Sequence, residues 1–229
     1  MLLMTYPTTK RSPGQAGMSL IEVLVTVLVL SVGLLGIAAL QFVSKRSNFE
    51  ALQRTTATML AYDILERMRA NPSALETYAA NQEASIVTPM PNLDGYEALD
   101  EPSPDCKATA CNATQLTDHD KWEWVQTLLG AAEVSGGANT GGLVSPTACL
   151  VSTVPDVTTP DNVPSERSGQ YMVAIAWRGQ TAMSNPVNPT LLASPDPYIC
   201  GADTGKYDNT AGDNVYRRVL VISTYIKAF

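Results

Sequence analysis

The chain has 229 residues, 45% of them apolar and 16% charged, with a formal net charge of −7. That is too apolar for a disordered chain and too polar for a protein of many membrane spans; the length suits one domain with an appended element. The acidic balance counts against nucleic-acid binding, which needs clustered Lys and Arg against phosphate, and no nucleic-acid partner is expected. A single histidine, His119, excludes any mechanism built on two imidazoles.

The charge is unevenly spread. Residues 1–70 hold seven basic residues (Lys10, Arg11, Lys45, Arg46, Arg54, Arg67, Arg69) and four acidic ones (Glu22, Glu50, Asp63, Glu66). The other eight basic and eighteen acidic residues lie beyond, so a mildly basic stem carries an acidic body. No proline interrupts residues 18–70, whereas the body is rich in proline and glycine.

The first 17 residues include Lys10 and Arg11 and no acidic residue, and residues 23–40 follow without a charge. Eighteen such residues come close to the length of a helix that crosses the hydrocarbon core. A secretory signal places its cut after the apolar run. Here the plausible cut, after Gly17, precedes it, so the apolar helix would stay in the mature protein. Glu22 is the fifth residue after Gly17, one turn into this apolar helix. A carboxylate facing lipid is costly and requires a partner. The obvious partner is an α-amino group freed at Met18, in the same chain or in a neighbouring subunit. A favourable interaction with the helix dipole, or placement at the membrane interface, is the bland alternative.

From 45 to 71 the pattern stays helical, with Ala57, Leu60, Ala61, Ile64 and Met68 on one stripe. Asn71-Pro72 ends it. A helix from about 18 to 70 would be on the order of 80 Å long, apolar all round in its first half and one-sided in its second. Gly33 and Gly36 permit close helix approach or soften the helix locally; they lack the four-apart spacing of a dimer face.

Prolines 72, 89, 91, 102 and 104 mark a long connection, with a short helix predicted near 73–83. Thr117-Asp118-His119-Asp120 offers N-caps for a helix ended by Gly130, with Trp122, Val125 and Leu128/Leu129 on its core face. Strands are predicted at 143–152, its start weakened by Pro146, at 170–178 and at 217–226. The result is an α+β fold with an antiparallel sheet packed on the helical stem. Gly136-Gly137 and Gly141-Gly142 read as a flexible loop and not a phosphate cradle. Asp203, Asp208 and Asp213 could bind calcium but lack the D-x-D-x-D-G spacing, so a solvated acidic loop is the plainer reading. Asn112-Ala113-Thr114 matches a glycosylation sequon, a frequent pattern. No set of residues supports catalysis, and neither a cofactor nor a metal is expected.

The run Gly17-Met18-Ser19-Leu20-Ile21-Glu22-Val23 resembles the class III leader junction of type IV prepilins and type II secretion pseudopilins. The resemblance implies that a prepilin peptidase cleaves after Gly17 and methylates the new N-terminus at Met18. It also implies that Glu22 neutralises a neighbouring subunit's N-terminus during assembly. The usual first mature residue is phenylalanine, and Met18 departs from that. The stretch Gly33-Leu34-Leu35-Gly36-Ile37-Ala38-Ala39-Leu40-Gln41, followed by Asp63-Ile64-Leu65-Glu66-Arg67-Met68-Arg69-Ala70-Asn71-Pro72, resembles the PilV-type minor pilins. So do a close cysteine pair and a Trp-containing strand.

The implied protein is structural and not an enzyme. It has a leader at 1–17, a long helix at 18–71 (transmembrane 23–40, amphipathic 45–71) and a pilin-like head at 72–229. It sits as a single-pass protein of the inner membrane, N-terminus cytoplasmic and head periplasmic, and later in an extracellular pilus. Its implied partners are other major and minor pilins through the N-terminal helix, prepilin peptidase, inner-membrane lipid and the pilus assembly platform. Its implied role is pilus assembly or priming, with twitching motility and adhesion. A minor pseudopilin of a type II secretion system would share the architecture. All four cysteines, Cys106, Cys111, Cys149 and Cys200, then lie on the exported side, where disulfides persist. Three pairings are open. Cys106 and Cys111 are close enough to close a small loop, which would leave Cys149 and Cys200 to tie a strand region to the loop before the last strand. Their spacings do not suit zinc or thiol redox chemistry.

Overall fold

The computed structural model describes residues 17–79, 93, 100–131, 133–152, 168–186, 197–210 and 212–227. Most of the leader, the later part of the helix expected at 73–83 and the connection around Pro89 and Pro91 lie outside them. The chain divides into two units, Met1–Arg46 and Ser47–Phe229.

Helix α1 runs Leu20–Ala70 and passes through both. The Ser19 carbonyl opens it by accepting the amides of Glu22 at 3.0 Å and Val23 at 3.3 Å. Pro72 ends it, since the residue before a proline avoids helical geometry. Asn71 then turns inward: its amide nitrogen donates to the Ala113 carbonyl at 2.8 Å and to the Thr117 hydroxyl at 3.2 Å. In the first unit, residues 17–45 are all exposed.

In the second unit, α1 buries one stripe: Gln53, Ala57, Leu60, Ala61, Ile64, Leu65 and Met68. This stripe joins α2 (Leu75–Tyr78, preceded by a 3-10 turn at Pro72–Ala74), α3 (Ala113–Leu128) and one sheet face in a common core. Ala57 and Ala61 have no exposed surface, and their small side chains let the sheet and α3 approach the helix backbone. After α3 comes a two-residue hairpin, β1 (Val134–Ser135) and β2 (Ala138–Asn139), turned by Gly136 and Gly137. Both glycines have positive φ, the geometry that a tight hairpin turn demands. The region expected to be only a loop thus carries a minimal hairpin.

The main sheet has the order β3 (Thr147–Ser152), β4 (Gly169–Arg178), β5 (Arg217–Ile226), antiparallel throughout. Alternation assigns its faces. Ala148, Leu150, Tyr171, Val173, Ile175, Trp177 and Ile226 meet the helical core. Cys149, Val151, Met172 and Ala174 face the other way, where Cys200 and Ile199 cover them. β4 is central and buried on both faces, which is why it reads as a nearly continuous apolar run. β3 begins just after Pro146 and forms an edge, as a proline at a strand start requires.

Helix α3 corrects two expectations. It begins at Ala113, well before Thr117-Asp118-His119-Asp120, because Asn112 and Gln115 form a capping box. Asn112 Oδ1 accepts the Gln115 amide at 2.9 Å, and Gln115 Oε1 accepts the Asn112 amide at 3.0 Å. The sequon asparagine is therefore a helix cap. The core tryptophan is Trp124, fully buried, and not Trp122. Trp124 Nε1 donates to the Leu60 carbonyl at 2.7 Å, which pins α3 to α1. Beyond Leu129 the chain folds back tightly: a Cβ on Gly142 would lie 2.4 Å from the Leu128 carbonyl oxygen. That approach brings Leu143 N within 2.9 Å of the same oxygen.

The disulfides are Cys106–Cys111 and Cys149–Cys200, separated by 5 and 51 residues. Loop-closure entropy makes the longer link the stronger stabiliser, about 4 kcal/mol against about 2 kcal/mol. Chemical denaturation should show that order: replacing Cys149 and Cys200 together by Ala lowers the unfolding free energy about twice as much as replacing Cys106 and Cys111.

Candidate functional site: an apolar helix surface with one carboxylate

Helices normally hide their apolar residues, and the first unit of this chain does not. Leu20, Ile21, Val23, Leu24, Val25, Val27, Leu28 and their successors to Leu40 are all exposed. By length and composition α1 is able to cross a membrane, with a mean hydropathy of 2.8 in its most apolar window and none of that window buried. The two hydroxyl residues in the span do not spoil it. Thr26 Oγ1 donates to the Val23 carbonyl at 2.8 Å and Ser31 Oγ to the Val27 carbonyl at 2.7 Å. Each polar group is satisfied within the helix, as a hydrocarbon surrounding requires.

Gly33 and Gly36 have nothing within 4 Å of where a Cβ would be, so no contact inside this chain requires them. Gly17 and Met18 sit just ahead of the helix start, and both are exposed. Glu22 lies in the first turn, the acidic residue nearest the positive end of the helix dipole. Its side chain is exposed beside Leu20, Ile21 and Val23, and so presents a carboxylate on an otherwise apolar surface.

The second unit holds a different cluster, built on Arg67 of α1. Its guanidinium contacts Asp63 at 3.1 Å, Asp120 at 3.1 Å and Glu123 at 2.7 Å. Tyr78 donates to the second oxygen of Asp120, and Lys107 reaches Glu123 at 2.7 Å. Burial alone would lower the Arg67 pKa; the bond to Glu123, the charge of Asp63 and the bond to Asp120 overcome that and raise it. Burial, then the bond to Asp120, pushes the Tyr78 hydroxyl up. Bonds from Lys107 and then Arg67 hold Glu123 at about 2, from an ordinary 4.5, against the opposing effect of burial. Every charge has a partner, so the cluster fastens α1 to α3 and does not present a reactive group.

The other sequence candidates resolve similarly. Asp213 accepts backbone amides from Asn209 at 2.9 Å and Thr210 at 3.0 Å, and Asp208 accepts those of Gly212 and Asn214. The Asn209 amide above all lowers Asp213 to about 2. These carboxylates shape their own loop. Arg217 and Arg218 form no exposed basic patch. Arg217 is 2% exposed and donates to the carbonyls of Tyr198 and Cys200, both at 2.7 Å. Arg218 lies 3.7 Å from Glu50 and donates to the Thr181 carbonyl at 2.6 Å. One cluster that sequence reasoning missed is Glu101, Asp105 and His119, whose potential ligand atoms all lie within 4.8 Å of one another.

Residues 12–38 match the family model of the prokaryotic N-terminal methylation motif. Residues 39–122 match the model of the Tt1218-like type IV pilins. The two matches adjoin and together support a type IV pilin with a class III prepilin leader. No curated protein and no solved structure matches the chain. These matches support a pilin role, and the apolar helix fits membrane anchoring.

The Glu123 carboxylate titrates lower in the folded protein than in the unfolded chain. Its stabilising contribution is therefore complete above about pH 4.5 and is lost as the pH falls toward 2. At pH 7, Glu123→Gln should lower the melting temperature by about 2–4 °C. The gap to the unaltered protein should close between pH 4.5 and 2, as calorimetry across that range would record.

Proposed function

We propose that this chain is a minor pilin of a type IV pilus, acting in pilus assembly. Residues 23–40 hold it in the inner membrane. The leader is removed after Gly17, Met18 is methylated, and the subunit then passes into a fibre with its head outward. Contacts to major and minor pilins run through the first half of α1, and the assembly platform and prepilin peptidase act on the same segment. Twitching motility and adhesion are the activities such a fibre would serve.

The observation that carries this reading is the exposed carboxylate of Glu22 on an apolar helix, directly after the Gly17-Met18 junction. In a fibre it would meet the freed N-terminus of a neighbouring subunit, where both charges leave lipid as a pair. The two disulfides support an exported head, since such bonds form and persist in oxidising compartments.

The test is co-expression with a prepilin peptidase, followed by N-terminal sequencing and mass spectrometry of the membrane fraction. The expected product begins at methylated Met18. Persistence of residues 1–17 in cells that process other prepilins would contradict the proposal. In the native cell, deletion should reduce piliation and leave exoprotein release intact; the opposite phenotype would place the chain in a secretion system.

A further inference from the structure

His119 is 3% exposed, and neither of its ring nitrogens has a hydrogen-bond partner among the described residues. A buried polar group without a partner is destabilising, and its presence needs a reason. Core packing does not supply one, because an apolar residue would fill the same space at lower cost. The ring packs near Trp122, with centroids 6.0 Å apart. Its Nδ1 faces Glu101 Oε1 at 3.9 Å, too far for a hydrogen bond.

Asp105 completes the group. Asp105 Oδ1 accepts the Lys107 amide at 2.9 Å, and its backbone carbonyl accepts the amides of Ala108 and Thr109, so the turn that carries it is set. The Cys106–Cys111 disulfide closes the same turn. Lys107 is engaged chiefly with Glu123 and interacts more weakly with the charges of Glu101 and Asp105.

We propose that His119 Nδ1, with the carboxylates of Glu101 and Asp105, forms a binding site for a divalent transition metal of the zinc class. One imidazole and two carboxylates form a ligand set of mixed hardness; imidazole favours zinc-like ions over calcium or magnesium. Ligands held about 2.0–2.2 Å from zinc lie closer together than the spread seen here, so the site must contract on binding. The movement falls to Glu101 and Asp105, both exposed, while the buried ring stays fixed. Three protein ligands leave a position for water or for a group from another molecule. The bound ion would staple the segment around Glu101 and Asp105 to α3.

The chain has one histidine, so its imidazole signal in NMR is unambiguous. The test uses the untagged full chain in detergent micelles, freed of metal by a chelator and titrated with zinc or cobalt ions alone. The histidine signal should shift with zinc, and shift far or broaden with cobalt, saturating at one ion per chain. Calcium at the same concentration should leave it unmoved. The paired change Glu101→Gln and Asp105→Asn alters only exposed side chains and keeps the buried ring. It should weaken zinc binding at least about tenfold. An unmoved histidine signal, an equal response to calcium, or undiminished affinity in the paired variant would each overturn the proposal.

Discussion

A carboxylate on a surface made for hydrocarbon is the constraint around which the N-terminal half of this chain is organised. Residues 23–40 include twelve Val, Leu and Ile residues. Moving their side chains out of water is worth about 18–36 kcal/mol in total at about 1.5–3 kcal/mol each. A charged side chain at the bilayer centre costs about 3 kcal/mol on insertion scales, and Glu22 lies near the end of the span. The apolar term therefore wins severalfold, and Glu22 does not prevent anchoring. Nor does it aid it. Under the proposed function its use lies in the fibre, where a partner charge is available and lipid is not.

The second half of α1 meets the opposite demand. It must be covered, and the head does so with a few directional contacts over a broad apolar stripe. Gln53 donates to the Gly142 carbonyl at 3.2 Å and accepts the Val144 amide at 2.9 Å. Glu50 accepts the Gln180 amide at 2.6 Å, and Arg67 holds three carboxylates. These polar contacts fix which residues face the sheet, while the fully buried Ala57, Ala61, Ile64 and Leu65 contribute the area. A single helix thus carries two surfaces with different solvents in view, one left open and one closed by the head.

Periodicity made much of this legible in the sequence. The stripe on α1 from Ala57 to Met68, the break at Asn71-Pro72 and the boundaries of β4 and β5 all follow from the spacing of apolar residues and from proline geometry. The α+β arrangement follows from them. Features that depend on one polar group finding another far along the chain were less legible. Trp122 and Trp124 are equally apolar, and it is Trp124 that packs in the core and meets the Leu60 carbonyl there. The start of α3 was misplaced because four good N-cap residues from Thr117 to Asp120 outshone one asparagine, whose capping box with Gln115 was the available signal. Thr117, Asp120 and Lys121 are buried although their types suggest exposure, since Asn71, Tyr78, Arg67 and the Thr77 carbonyl lie against α3. The Glu101, Asp105 and His119 cluster is equally hard to read from sequence: it joins a proline-rich connection to a helix, and no fixed spacing announces it.

The most direct measurement of the central claim compares Glu22→Ala with the unaltered chain in piliated cells, scoring membrane-inserted subunit and fibre-incorporated subunit separately. The account predicts that membrane insertion holds or rises while incorporation into sheared fibres falls sharply. Unchanged incorporation would contradict it, because the Glu22 carboxylate would then have no partner whose loss is felt.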